Sequence, residues 1–250
     1  MKLGLKLWSS NVDILPQAEE LISRDIFQFI ELTPVPNTDM APFLEIKAPY
    51  IIHGSIDRFG FNFADKQKQE INFKRILECI DWVNALRAKY CVIHPGYGFI
   101  DDALDFLSML DDRRILIENM PKYGLGGEDM IGFSPEQVKQ LIGDKFGFCL
   151  DLNHAIKASI SMGISYKDYI KDFLKLNPQL FHISDGRLSS YKDEHLSIGE
   201  GDYDINFLRD CIEKSQFQLV TMETVRKNIS SLNEDLINAK ILRMEKRVVK

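Results

Sequence analysis

No run of apolar residues in this chain approaches the ~20 that a membrane-spanning helix needs, and there is no excess of basic charge. Lys and Arg total 31 against 37 Asp and Glu, a formal net charge of −6. That balance offers nucleic acid no global attraction, so DNA contact would need a local basic patch. Cysteine is scarce: Cys79, Cys91, Cys149 and Cys211 show no CxxC spacing and sit mostly among apolar neighbours. They read as buried, reduced thiols of a reducing compartment. Met1–Trp8 is too short for a signal peptide and carries Lys2 and Lys6, so a cytoplasmic protein without a membrane partner is expected. Internal repeats, domain boundaries and low-complexity tracts are also missing. The GLGG at Gly124–Gly127 lacks the spacing of a dinucleotide fingerprint and does not open a helix after the first strand. Like Gly199–Gly201, it reads as a surface loop that needs positive φ. The C-terminal EKRVVK, residues 245–250, reads as a solvated helix end or tail.

What is present is a regular alternation. The 250 residues are 45% apolar and 27% charged, which suits a soluble protein with a sizeable core. Strand-like runs rich in Ile, Val, Leu, Phe or Cys fall at Lys2–Trp8, Phe27–Leu32, Ala48–His53, Tyr90–His94, Ile115–Glu118, Phe146–Asp151, Leu180–Ile183 and Gln218–Glu223. Continuous apolar character over so few residues predicts strands buried on both faces. Between them, helical spacing or composition predicts helices over Asp65–Lys89, Asp101–Leu110, Ser134–Ile142, Tyr166–Leu176, Asn206–Lys214 and Leu232–Met244. Ser134-Pro135-Glu136-Gln137 has the form of an N-cap followed by proline in the first turn. The expected fold is α/β, a single (β/α)8 TIM barrel over residues 1–250. An open α/β sheet is the alternative, because periodicity does not show closure.

All five histidines lie at or just beyond the end of an apolar run: YIIH at His53, CVIH at His94, CLDLNH at His154, LFHI at His182 and DEH at His195. Carboxylates occupy equivalent places at Glu118, Asp151 and Glu223, and Asp193 precedes His195 by two residues. In a (β/α)8 barrel the functional groups project from the C-terminal ends of the strands. Imidazole and carboxylate are the ligands that borderline and hard divalent metals take. A lone strand-end histidine is ordinarily a packing residue, and a lone Asp a helix cap. The ordered set points instead to a metal centre.

The motifs HGS at His53, IHPG at His94, IEN at Glu118, DLNH from Asp151 to His154, HISD at His182, DEH, SIGEG and MET at Glu223 resemble the endonuclease IV family (AP endonuclease family 2). That family falls within the xylose-isomerase-like TIM barrel superfamily. The resemblance implies a zinc centre in which His53 and His94 hold one ion and Glu118 bridges to a second. The second ion would also take Asp151, His182 and Glu223, and His154, Asp193 and His195 would hold a third. It implies hydrolysis of a phosphoester, with Glu118 and Glu223 in the catalytic set. Four carboxylates against three dications would leave about +2 in the pocket, enough to bind a phosphate dianion.

Some positions depart from that pattern. LWSSNVD after the first strand lacks the family's His-bearing loop, and ELTPVPNT from Glu31 lacks the basic residues that enter a duplex. Ile56 stands where the family offers an aromatic wedge. Duplex DNA is therefore a partner without its usual contact loops, and a smaller phosphoester or sugar phosphate is the broader expectation. Glu31 in IEL resembles the isomerase and epimerase branch. Those enzymes keep one Mn²⁺, Mg²⁺, Co²⁺ or Zn²⁺ and move a proton with residues equivalent to Glu118 and Glu223. Glu31, Arg187 and Arg226 are candidate substrate-binding residues, and Lys157 a further candidate phosphate contact. The joint presence of His53, His94 and the Asp193-x-His195 pair favours two or three ions over one.

Overall fold

Every one of the apolar runs forms a strand in the computed structural model, which describes residues 1–54 and 59–244. Ile56 and residues 245–250 lie outside the described residues. The strands are β1 (Lys2–Trp8), β2 (Phe29–Thr33), β3 (Tyr50–His53), β4 (Cys91–Ile93), β5 (Ile115–Glu118), β6 (Gly147–Asp151), β7 (Leu180–Ile183) and β8 (Leu219–Met222). They pair in parallel in chain order, and β8 returns to β1 with Leu5 beside Met222. That last pairing closes the barrel and excludes the open sheet.

The helices are α1 (Leu15–Ser23), α2 (Ala41–Leu44), α3 (Gln69–Ala85), α4 (Ile100–Ser108), α5 (Pro135–Ile142), α6 (Leu152–Met162), α7 (Tyr166–Leu174), α8 (Ile205–Glu213) and α9 (Asn233–Arg243). The Ser134 hydroxyl accepts from the Gln137 amide at 3.3 Å, the cap its sequence context predicts. Helix α6 lies outside the segments read from periodicity. Its residues Leu152–Ser159 are all buried, so it has no polar face to mark a helical stripe. No helix among the described residues is long and apolar enough to cross a membrane.

Two apolar layers position the site. The larger core fills the space between barrel and helices. A smaller cluster of Phe29, Ile51, Val92, Leu116, Cys149 and Leu180 plugs the barrel interior. Gly4 belongs to the plug by omission: a Cβ there would overlap the Phe29 ring. The four cysteines are free and buried, as their apolar neighbours predict. Gly127 and Gly199 adopt φ of 89° and 91°, the left-handed region their loops require.

Candidate metal centre

Side chains alternate along a strand with period two, so a residue two places beyond a plug residue points the same way, one layer higher. Applied to the plug, that step gives Glu31 above Phe29, His53 above Ile51, His94 above Val92, Glu118 above Leu116, Asp151 above Cys149 and His182 above Leu180. Leu219, Thr221 and Glu223 run the same way along β8. The barrel therefore changes within one layer from hydrocarbon to a ring of imidazoles and carboxylates at its C-terminal mouth.

The ring divides into sets whose donor atoms lie within 4.8 Å of one another: His53, His94 and Glu118; Glu118, Asp151, His182 and Glu223; and His154, Asp193 and His195. Every candidate ligand from the sequence falls in one of them. A fourth set joins Glu31 to His53, His182 and Glu223. Glu118 links the first two through different oxygens. Its Oε2 is 3.2 Å from Nε2 of both His53 and His94, and its Oε1 is 3.1 Å from Nδ1 of His182. From His182 Nδ1, Glu223 Oε1 lies at 3.5 Å and Asp151 Oδ2 at 4.0 Å. In the third set Asp193 Oδ2 is 3.3 Å from His154 Nε2 and 2.7 Å from His195 Nε2. Charge-assisted hydrogen bonds favour about 2.7–2.9 Å. Two ligands bound tetrahedrally at about 2.0–2.2 Å from one ion stand about 3.3–3.5 Å apart. Most of these separations are nearer the second value, so the donor set fits divalent metal.

Backbone carbonyls anchor the far side of three of the rings. His53 Nδ1 lies 3.1 Å from the Gly54 carbonyl, His154 Nδ1 2.9 Å from that of Asn119, and His195 Nδ1 2.7 Å from that of Glu223. A proton on each of those nitrogens leaves Nε2 with its lone pair toward the site. His182 is reversed: its Nε2 meets the Glu31 carboxylate at 3.1 Å and its Nδ1 faces the ring. Asp151 does two things at once. Its Oδ1 accepts from the His154 amide at 2.6 Å, capping α6, while Oδ2 faces the second set.

Carboxylates outnumber the fixed cation of the ring: Glu31, Glu118, Asp151, Asp193 and Glu223 stand against Lys6. Burial raises the Asp151 pKa, and the Glu118 and Glu223 carboxylates raise it further against the pull of His154. Burial would also raise Glu223, but His182 and Lys6 draw it down to about 2. In the metal-free protein burial lowers His195 while the Asp193 carboxylate outweighs it, holding the ring up to about 9. A cation is what such a cluster lacks.

The loop after β7 brings in the third set. Asp185 accepts from the amides of Gly199, Gly201 and Tyr203 at 2.8–3.2 Å, folding the SIGEG segment under the mouth. Asn153, next to His154, donates to Asp193 and accepts from the Tyr203 hydroxyl at 2.7 Å. His195 itself sits at φ 49°, in the left-handed region.

The candidate substrate-binding residues separate here. Glu31 is fully buried in the ring and bonded to Lys6, His182 and Thr221. Arg226 is taken up by Asp235, with Nε at 2.7 Å from Oδ2, and by the Lys6 carbonyl. Arg187 is exposed on the loop after β7. The ammonium of Lys157, the further candidate phosphate contact, is occupied within the protein. It is wholly buried, donating to Glu194 at 2.7 Å and to the carbonyls of Ser190 and Arg187 at 2.9 and 3.0 Å. Lys6 was the unforeseen member: it is the β1 residue of the ring, 2.7 Å from Glu31 and 2.5 Å from Glu223. The signal was its place two residues after Gly4 in KLGLKLW, which points it inward.

A family model described as xylose isomerase-like TIM barrel matches residues 44–246. A protein named probable endonuclease 4 from Mycoplasmopsis synoviae is 29% identical over 224 residues, covering 81% of this chain and 76% of that protein. Among solved structures, endonuclease IV from Thermus thermophilus superposes with a TM-score of 0.72 at 18% identity, covering 97% of this chain and 98% of that one. A D-tagatose 3-epimerase-like protein superposes with a TM-score of 0.73 at 20% identity and the same coverage. At those identities the two structures show the shared barrel alone.

Proposed function

The chain belongs to the xylose isomerase-like TIM barrel family, and from that premise we propose that it is a metal-dependent phosphoester hydrolase working with two or three divalent ions. The observation that carries the reading is Glu118, whose two oxygens face separate donor sets at 3.1–3.2 Å. A carboxylate placed in that way suits a bridge between neighbouring ions. His53 and His94 would hold one ion with Glu118, and Asp151, His182 and Glu223 another. His154, Asp193 and His195 would hold a third. Zinc suits this mixture of imidazole and carboxylate, as do Mn²⁺ and Co²⁺. When bound, such ions polarise phosphoryl oxygens and lower the pKa of water.

The chain's own residues supply the rest. Five carboxylates and the Lys6 ammonium against three dications leave about +2 in the ring, so a phosphate dianion is drawn to the mouth. The backbone carbonyls behind His53, His154 and His195 keep those rings oriented, and the plug below excludes water from the barrel axis. The kinship with probable endonuclease 4 supports an abasic site in DNA as the first substrate to test.

A second reading, sugar isomerisation or epimerisation on one ion, is favoured by the complete set of Glu118, Asp151, His182 and Glu223. It would use Glu118 and Glu223 to move a proton at carbon. The separate His154, Asp193 and His195 set, for which a single ion on those four residues has no use, counts against it.

The deciding experiment pairs elemental analysis of protein purified without chelator with assays on abasic duplex DNA and on aldose and ketose phosphates. Two to three equivalents and chelator-sensitive phosphoester cleavage support the hydrolase. One equivalent with aldose–ketose or epimer conversion and no cleavage would overturn it.

A further inference from the structure

Lys6 has a place in the ring that the metal reading alone does not explain. The strands present ligand-type groups at the mouth, except β1, which presents an ammonium. Lys6 pairs in register with Glu31 on β2, and Leu5 with Met222 on β8, so Lys6 stands between Glu31 and Glu223. Its Nζ bonds both, and its side chain is 14% exposed. Those two carboxylates, with His53 and His182, form the fourth set of donors within 4.8 Å of one another. The ammonium thus lies among groups that could hold an ion.

We propose that Lys6 is a resident cation of the centre, occupying the space between the Glu31 and Glu223 carboxylates where a further metal ion would otherwise sit. Glu31 is the partner that makes this arrangement stable. One of its oxygens takes the ammonium at 2.7 Å, and the other takes the Thr221 hydroxyl at 2.6 Å and lies 3.1 Å from His182 Nε2. The carboxylate is fully occupied by protein and has no need of an ion. Lys6 also neutralises the negative charge that Glu31 adds, so the ring keeps the excess that the other ligands give it. It is a positioning residue: it holds Glu31 behind His182 and Glu223 beside the second set, and it limits how many ions enter. The inference rests on the metal reading of the ring, though not on the choice between hydrolase and isomerase.

The test is the metal content of Lys6→Met, a neutral side chain of similar length, against the wild-type chain by elemental analysis, with thermal melting in the presence and absence of Zn²⁺. Lys6→Met is expected to bind one further equivalent, and its melting temperature to respond more strongly to Zn²⁺ than that of the wild type. The double variant Lys6→Met/Glu31→Gln, which removes the charge pair as a unit, is expected to lose that extra equivalent. Should Lys6→Met fold only when Zn²⁺ is supplied, the ion has replaced the ammonium and the inference stands. A folded Lys6→Met with the wild-type metal count, or one that stays unfolded with Zn²⁺ present, overturns it. A wild-type chain that binds no metal at all removes the metal reading itself, a separate failure.

Discussion

Lys157→Met is the perturbation whose consequence the structure specifies most fully. The ammonium is wholly buried on α6, three residues after His154, and donates to Glu194 and to the carbonyls of Arg187 and Ser190. Glu194 separates Asp193 from His195, so this single group closes the β7 loop onto α6 and brings the third donor set together. Methionine fills similar volume but leaves two carbonyls and a carboxylate without their donor. Breaking a buried ion pair from one side costs about 3–5 kcal/mol. Glu194 keeps 23% of its side chain exposed and also accepts from the Arg187 amide, so water relieves part of the loss. The low end, about 3 kcal/mol, is expected. Lost globally, that would lower the melting temperature by roughly 6–12 °C for a chain of this size. Local opening is cheaper, so the loss should fall on the loop first. Hydrogen exchange across residues 185–204 should rise well above the wild-type rate, and bound metal should fall by the equivalent held at His154, Asp193 and His195. Wild-type exchange in that loop together with an unchanged metal count would refute the reasoning.

Glu118→Gln removes the one carboxylate shared by two sets, so at least one metal equivalent should be lost and turnover should fall more than about 100-fold; a full metal complement in that variant would contradict a bridging role. Gly4→Ala should destabilise by about 1–3 kcal/mol, because the new methyl overlaps the Phe29 ring. Pairing it with Phe29→Leu should restore much of the loss, and chemical denaturation of both variants measures this. Metal uptake by the third set should release protons and weaken as pH falls below about 9, since an ion must displace the proton that Asp193 holds on His195. Calorimetry in buffers of different ionisation enthalpy checks this, and identical heats in all of them would count against it.

The strand ends were legible because each combines a buried apolar run with a residue whose chemistry does not suit a core. CVIHPG and ILIEN announce both the strand and the group at its mouth. Helix α6 was not legible as a helix for the converse reason: LNHAIKASISM is buried throughout its first two turns and shows no amphipathic stripe. The burial of Lys157 was not legible for a related cause. A lysine in sequence looks solvated, and only the returning β7 loop encloses it. Lys6 and Glu31 stand about as far apart in the chain as a strand and a helix require, and their partner Glu223 lies at the other end. Nothing local marks three residues as one charged cluster.

The sequence by itself determined the kind of chain this is: parallel strands from short apolar runs, and a candidate metal centre from imidazoles and carboxylates at their ends. Both are local properties, written in the composition of five or six neighbouring residues. Closure, and the division of the ligands, belong to the tertiary structure. The β1–β8 pairing brings Lys6 to Glu223 across 217 residues, and the turn of Glu118 sets one oxygen toward each donor set. Which residue is a ligand, which stands behind one, and which is already paired depends on distances of a few tenths of an ångström between strands remote in the chain. Side-chain chemistry is set residue by residue, whereas its partners are set by how the barrel closes.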